Sequence, residues 1–394
     1  MSASLLIFDT HPIQYRAPVF RELLEQLPQV QVIFFNSRFD GKKWWFQEVD
    51  KIPKQEFGVP LSEGYPNRVL ETQTLSFLDK VKTLNQALNK EKPQAVLVYG
   101  YYQVEHWILR ILCAQKKIPL LFVGETFDWR GSFLRKKIKS FLIGYFFNRV
   151  AGFVAIGKKT FDYYLQWGVP ASKITQAKYC TDVSPFILSD AEARNCREGI
   201  RNQLGIPLDA FVLLFVGRLF DRKRPFDLLE IHRKLQLQAP VQTIFVGNGE
   251  LSESLQLAAK EIPGVHLVGF KNQKEIKNFY YSADLLVVPS DFETWGLVVN
   301  EAFGCQLPAL VTDQCGVAED LVMSRKTGEI FPVGDCEAAV EKIRPLLSDR
   351  SIVKNWGLNA RTLILKNYQP RQFANCILSA FRKATLAEVK ESSV

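Results

Sequence analysis

Short apolar runs recur along the chain, each followed by a stretch whose apolar residues return at helical spacing. In the first half, Leu5–Asp9, Val30–Asn36, Ala95–Tyr99, Leu120–Val123 and Val150–Ile156 read as strands. Between and after them, Arg16–Leu27, Leu75–Asn89, Val104–Gln115, Phe133–Phe147 and Lys159–Trp167 read as amphipathic helices. This alternation predicts an α/β fold, a parallel sheet wrapped by helices on both faces. The pattern restarts with strand Ala210–Val216, helix Pro225–Gln238, strand Gln242–Val246 and helix Glu250–Ala259. Strands Val265–Val268 and Leu285–Pro289, helix Leu297–Cys305 and strand Leu307–Thr312 continue it.

The expectation is therefore two doubly wound, Rossmann-like domains. Residues 1–188 form the first, 189–207 a polar, irregular linker, and 208–369 the second. A last helix, about 370–394, is expected to pack back on the first domain. Ligands of such sheets bind beyond the carboxyl ends of the strands, so the two domains are expected to face each other across a cleft. The polar stretch Ser37–Asn67 interrupts the first series and carries Trp44, Trp45 and Phe46. It reads as a functional loop or, equally well, as a local apolar plug.

Composition changes this picture little. The chain has 394 residues, 47% hydrophobic and 23% charged, which fits two globular domains. No apolar stretch has the length of a membrane span or the form of a secretory leader, so a soluble protein of the cytoplasm is expected. The seven cysteines include no C-x-x-C pair, which favours buried thiols over a structural zinc.

Charge is more informative once divided. Residues 1–188 hold 25 Lys+Arg against 16 Asp+Glu, and 189–394 hold 25 against 25, so the first half carries the whole net charge of +9. A basic half favours an anionic partner. The densest run, Arg130–Lys139, is followed by Phe141, Leu142, Tyr145, Phe146 and Phe147. It reads as a solvated helix end or as a peripheral contact with an anionic membrane at its inner face. No recognised nucleic-acid motif accompanies the basic residues, so nucleic acid is not expected as a partner.

Three segments of the second half carry candidate chemistry. At Gly217-Arg218 through Lys223, an apolar strand ends in a glycine and delivers two cations, a pattern suited to a diphosphate. Gly247-Asn248-Gly249 begins like a dinucleotide fingerprint, but Ser252 stands where the third glycine belongs, leaving only a turn that would let a ligand approach the backbone. In the third, Glu293 precedes a helix starting near Gly296, and Glu301 lies within it. Eight helical residues would span roughly 12 Å, enough to hold a sugar and a ribose either side of a diphosphate resting on the helix start.

Gly-Arg-x4-Lys, the Gly-x-Gly turn and Glu-x7-Glu, in this order, resemble the retaining glycosyltransferase family 4. Cys315-Gly316-Val317-Ala318-Glu319 is similar to that family's Gly-Gly-x-x-Glu, with Cys in the first glycine's place. Gly168-Val169-Pro170 through Lys173-Ile174, Asp182 and Phe186 resembles its stretch before the linker. The first loop, Asp9-Thr10-His11-Pro12-Ile13-Gln14-Tyr15, resembles a branch with a His-Pro-Ile-Gln-Tyr signature. Tyr99 and Glu125 stand where the family often has histidines, and Tyr179-Cys180 where Asn-Gly usually precedes the Asp182 position.

The resemblance implies a two-domain GT-B fold and a nucleotide-diphosphate sugar as donor. Arg218 and Lys223 would bind the diphosphate, Glu293 the sugar hydroxyls and Glu301 the ribose. The amides of Trp295, Gly296 and Leu297 would hold sugar and phosphate, with Gly247 and Gly249 nearby and Phe270 and Lys271 near the base. His11, Gln14, Tyr99 and Glu125 would contact the acceptor, a glycan or lipid-linked group, or the sugar; His106 reads as structural. No D-x-D occurs, so no metal and no cofactor is expected. A sugar-nucleotide epimerase or hydrolase, and a non-catalytic nucleotide-sugar-binding paralogue, are the alternatives.

Overall fold

The apolar runs become strands buried on both faces, the burial that parallel sheets impose. The computed structural model describes residues 4–37, 61–125 and 141–391. The segment with Trp44, Trp45 and Phe46 and the basic run Arg130–Lys139 lie outside them.

These residues divide into two units. One runs to Tyr179 and resumes at Pro370; the other spans Cys180–Gln369. The first holds seven strands: β1 (Leu5–Asp9), β2 (Val30–Phe34), β3 (Asn67–Val69), β4 (Ala95–Tyr99), β5 (Leu120–Gly124), β6 (Gly152–Ile156) and β7 (Ile174–Ala177). They pair in parallel in the order β3-β2-β1-β4-β5-β6-β7. Helices α1 (Ala17–Gln26), α2 (Phe77–Glu91), α3 (Val104–Gln115) and α4 (Gly157–Gln166) connect them, and residues 141–147 are helical.

The second unit opens with α5 (Asp190–Leu204) and continues with β8 (Phe211–Val216), α6 (Pro225–Gln236), β9 (Val241–Val246), α7 (Ser252–Ala259) and β10 (Val265–Leu267). Helix α8 (Gln273–Ser282), β11 (Leu285–Val288), α9 (Leu297–Gly304), β12 (Ala309–Thr312), β13 (Gly328–Phe331), α10 (Cys336–Ser348) and α11 (Arg350–Asn367) follow. Its parallel order is β10-β9-β8-β11-β12-β13. In both sheets the strand order reverses at the first strand, so each has a switch point where two neighbouring loops diverge. Those points lie between β1 and β4 and between β8 and β11.

The last helix, α12 (Pro370–Glu391), packs on α1, β6 and β7 of the first unit and buries Phe373, Ala374, Ile377, Leu378 and Phe381 there. The chain thus leaves the first unit at Tyr179 and rejoins it at the end.

The passage 189–207, expected as an irregular linker, is instead mostly the 15-residue helix α5. Ser189 caps it, and Glu192 bonds back to the Ser189 amide at 2.9 Å in a reciprocal capping box. Its Arg201 is fully buried and donates to the carbonyls of Ser282, Pro207, Leu208 and Ala210 as well as to Asp284. A helix that looks polar throughout is held by these arginine bonds.

Candidate functional site

The second sheet's switch point builds from its two central strands. β8 runs into Gly217, whose amide donates to Val246 O at 3.0 Å, and the chain then turns through a 3-10 segment, Asp221–Lys223. β11 runs into Ser290-Asp291, and the Asp291 amide donates to Arg222 O at 2.8 Å. That main-chain bond ties the two loops together and sets Lys223 against Glu293. The Lys223 ammonium and the Glu293 carboxylate form a direct ion pair, with 18% and 14% of their side chains exposed.

Glu293 is held from behind. Its amide donates to Gln314 O at 3.3 Å, and its carbonyl accepts from the Gly316 amide at 2.9 Å. A side chain at Gly316 would place Cβ 2.1 Å from Thr294 O, so only glycine permits this contact. Cys315, in the first glycine's place, is completely buried, and burial pushes its thiol up to about 11. It packs against Thr312 as an inert core residue.

Arg218 forms no ion pair with a carboxylate among the described residues, and its guanidinium lies 5.8 Å from the Phe220 ring. Partial desolvation and the neighbouring Arg222 charge lower its pKa. The side chain nonetheless stays a cation at any working pH. Trp295 is 2% exposed, donates from Nε1 to Asn300 at 2.9 Å and lies against Tyr368. Only its backbone belongs to the site. Gly296 adopts φ 110° and starts α9 at Leu297.

The eight residues from Glu293 to Glu301 are not one helix, as the 12 Å span assumed. Glu293 lies in an extended bridge opposite Cys315, and the helix covers only the second half of the interval. Glu301 is largely buried: it is 8% exposed and accepts the Tyr280 hydroxyl at 2.7 Å. Burial raises its carboxyl to about 7, against the Tyr280 bond, which lowers it.

Gly247 and Gly249 serve the backbone. A Cβ at Gly247 would meet Gly217 O at 1.8 Å, and one at Gly249 would meet Leu219 O at 2.3 Å. Their lack of side chains lets the loops after β8 and β9 bond to each other, with the Leu219 amide on Asn248 O and the Leu251 amide on Leu219 O. On the side where a Cβ would stand, each glycine faces the backbone of the loop after β8. Beyond β10, Phe270 is 39% exposed and Lys271 reaches over the Phe279 ring at 5.7 Å.

The first sheet's switch point is built differently. Arg16 is buried there, paired with Asp9 at the end of β1 and with Glu125 after β5, the latter at 2.8 Å. Its guanidinium sits 4.3 Å from the Tyr99 ring centre, and the Tyr179 hydroxyl donates to Glu125. Desolvation works against the Arg16 charge, but Asp9 and Glu125 outweigh it and raise its pKa, whereas burial raises that of Asp9. His11 accepts or donates at Thr10 Oγ1 over 2.9 Å, and burial with the Arg16 charge pulls it down to about 4, so it is neutral at pH 7. Gln14 Oε1 is buried without a hydrogen-bond partner in the described structure. Tyr99 and Glu125 thus sit around Arg16. The sequence places Asp9 in the first loop's motif and Tyr179 at a departure from the family pattern without giving either a role, and Arg16 only at a helix start; an acid closing a strand and a basic residue seven positions later was the available signal. His106 is buried and bonds Tyr99 O at 2.9 Å through Nε2, a structural role.

Among the described residues no group of three or more His, Cys, Asp or Glu is placed to hold a metal ion, and no helix is long and apolar enough to cross a membrane.

Two parallel Rossmann-like sheets of this order define the GT-B fold. The crystal structure of Alr3699/HepE from Anabaena, in complex with UDP, superposes with a TM-score of 0.75 over 97% of this chain and 100% of that one, at 18% identity. Residues 197–363, all within the second unit, match the family described as glycosyl transferases group 1. The sulfoquinovosyl transferase SQD2 of Arabidopsis thaliana is 33% identical over 153 residues, 38% of this chain and 29% of its own length. D-inositol 3-phosphate glycosyltransferase 1 of Catenulispora acidiphila is 34% identical over 166 residues, 39% of this chain and 40% of its own. The match spans less than half the length of these relatives.

Proposed function

We propose that this chain is a glycosyltransferase that moves a sugar from a nucleotide-diphosphate donor to a hydroxyl of a glycan or lipid-linked acceptor, with retention at the anomeric carbon. The observation that carries the reading is the arrangement at the second switch point. Arg218, free of any carboxylate among the described residues, and Lys223, set against Glu293, both lie on the loop after β8, which the Arg222–Asp291 bond joins to the loop after β11. Two cations beyond the carboxyl end of one central parallel strand suit a pyrophosphate.

In this reading Arg218 and Lys223 stabilise the charge that develops on the diphosphate as the glycosidic C–O bond breaks. The acceptor hydroxyl attacks the same face, and its proton passes to the departing phosphate oxygen. Glu293 holds the sugar hydroxyls, and Glu301, with Tyr280 behind it, takes the ribose. The amides of Trp295, Gly296 and Leu297 face the sugar and phosphate, Phe270 and Lys271 lie toward the base, and Gly247 and Gly249 support the loop. His11, Gln14, Tyr99 and Glu125 serve the acceptor or sugar side. The two cations take the part a metal would play, so turnover is expected to continue in a chelator. The basic first half, with Arg130–Lys139, supports work in the cytoplasm against an anionic membrane face.

HepE was solved with UDP, so UDP-sugars are the first donors to try, followed by GDP- and ADP-sugars. The test is mass-spectrometric identification of released nucleotide and of glycosylated product, with wild type and Arg218→Ala. Free sugar or an isomer without acceptor would instead indicate a hydrolase or epimerase. An undiminished rate in Arg218→Ala would remove the diphosphate role.

A further inference from the structure

Lys223 and Glu293 form a direct ion pair, and each is largely buried. Resting on the donor reading above, we propose that Glu293 is the internal counter-ion of the phosphate seat, so that donor binding is an exchange of partners. The diphosphate takes Lys223 and frees Glu293 for the sugar.

The geometry makes this a side-chain event. The Glu293 main chain is fixed at Gln314 O and Gly316 N, and the Lys223 amide donates to Phe220 O at 2.8 Å. Neither backbone needs to move. Energetically, a cation with little solvent needs an anion, and an anion left behind in the same surroundings is costly. An intact nucleotide sugar meets both needs, since its phosphates neutralise Lys223 and its hydroxyls donate to the released Glu293. A nucleoside diphosphate meets only the first and leaves a carboxylate with 14% of its side chain exposed. The pair therefore discriminates against the nucleoside diphosphate product, favouring its release and the entry of fresh donor. Arg218 lies outside the exchange, because it has no carboxylate to give up among the described residues.

Isothermal titration of wild type, Glu293→Gln and Glu293→Asp with UDP, GDP and ADP tests the idea. Glu293→Gln removes the competing charge and is expected to bind the nucleoside diphosphate about tenfold tighter, equivalent to ~1.4 kcal/mol. Glu293→Asp keeps the charge and should stay close to wild type. Glu293→Ala, expected to follow Glu293→Gln, covers the case in which the glutamine variant does not fold. Equal or weaker nucleotide binding by the neutral variants would overturn the exchange while leaving the donor reading in place. Absence of binding of all three nucleotides both to wild type and to the neutral variants would instead overturn the donor reading itself.

Discussion

The two switch points share a topology and differ in electrostatics. At the first, Arg16 is enclosed by Asp9, Glu125, Tyr99 and Tyr179, and two carboxylates answer one cation. At the second, Arg218 has no carboxylate among the described residues and Lys223 has one. The first arrangement is closed upon itself and joins the ends of β1 and β5 through Arg16. The second keeps positive charge in reserve, which is what a polyanionic ligand requires. Equivalent places in two similar sheets can thus hold a charge network answered from within or a cation left unanswered, according to how the charges balance.

The contrast can be broken most sharply at Arg16. Arg16→Ala strands two carboxylates in the first unit and should cost about 3–5 kcal/mol of stability, seen as a lower urea midpoint. Unchanged stability would show that the network is not structural. Arg218→Ala should do the reverse. It should lower kcat/KM by roughly 10²–10³ while leaving the urea midpoint where it was. Third comes the buried acid at Glu301, raised to about 7 from an ordinary value of 4.5. Between those values the folded protein keeps a proton that the unfolded chain has lost. Stability is therefore greatest below pH 4.5 in this respect and declines as pH rises toward 7, by on the order of 3 kcal/mol. Urea unfolding at pH 5 and 8 should show the decline, and Glu301→Gln should flatten it. The smallest effect is expected at the cap of α5, where Ser189→Ala should cost about 1 kcal/mol in the same assay.

Much of the architecture was legible because buried parallel strands are written as unbroken apolar runs. Leu5–Asp9 and Ala95–Tyr99 were placed to the residue. The edge strands Asn67–Val69 and Ile174–Ala177 were not, since strands of three or four residues at a sheet's margin carry no such run. Helix α5 was missed although its Ser-x-x-Glu box was present, because its stability lies in Arg201 bonds to distant carbonyls rather than in an apolar stripe. Arg218 and Lys223 were marked by the strand that ends at Gly217 and Glu293 by its place before a helix, and the structure pairs Lys223 with Glu293. The Tyr280–Glu301 bond and the crowding at Gly247 join residues far apart in the chain, and local pattern is silent about such pairs.

The return of α12 to the first unit has a consequence for biosynthesis. A ribosome emits the seven strands of the first sheet early, yet the helix that covers β6 and β7 emerges only after all of the second unit. During translation the nascent first unit waits with that apolar face bare, while Cys180–Gln369 can fold as soon as it is free. The half that is made first is thus the half that is finished last.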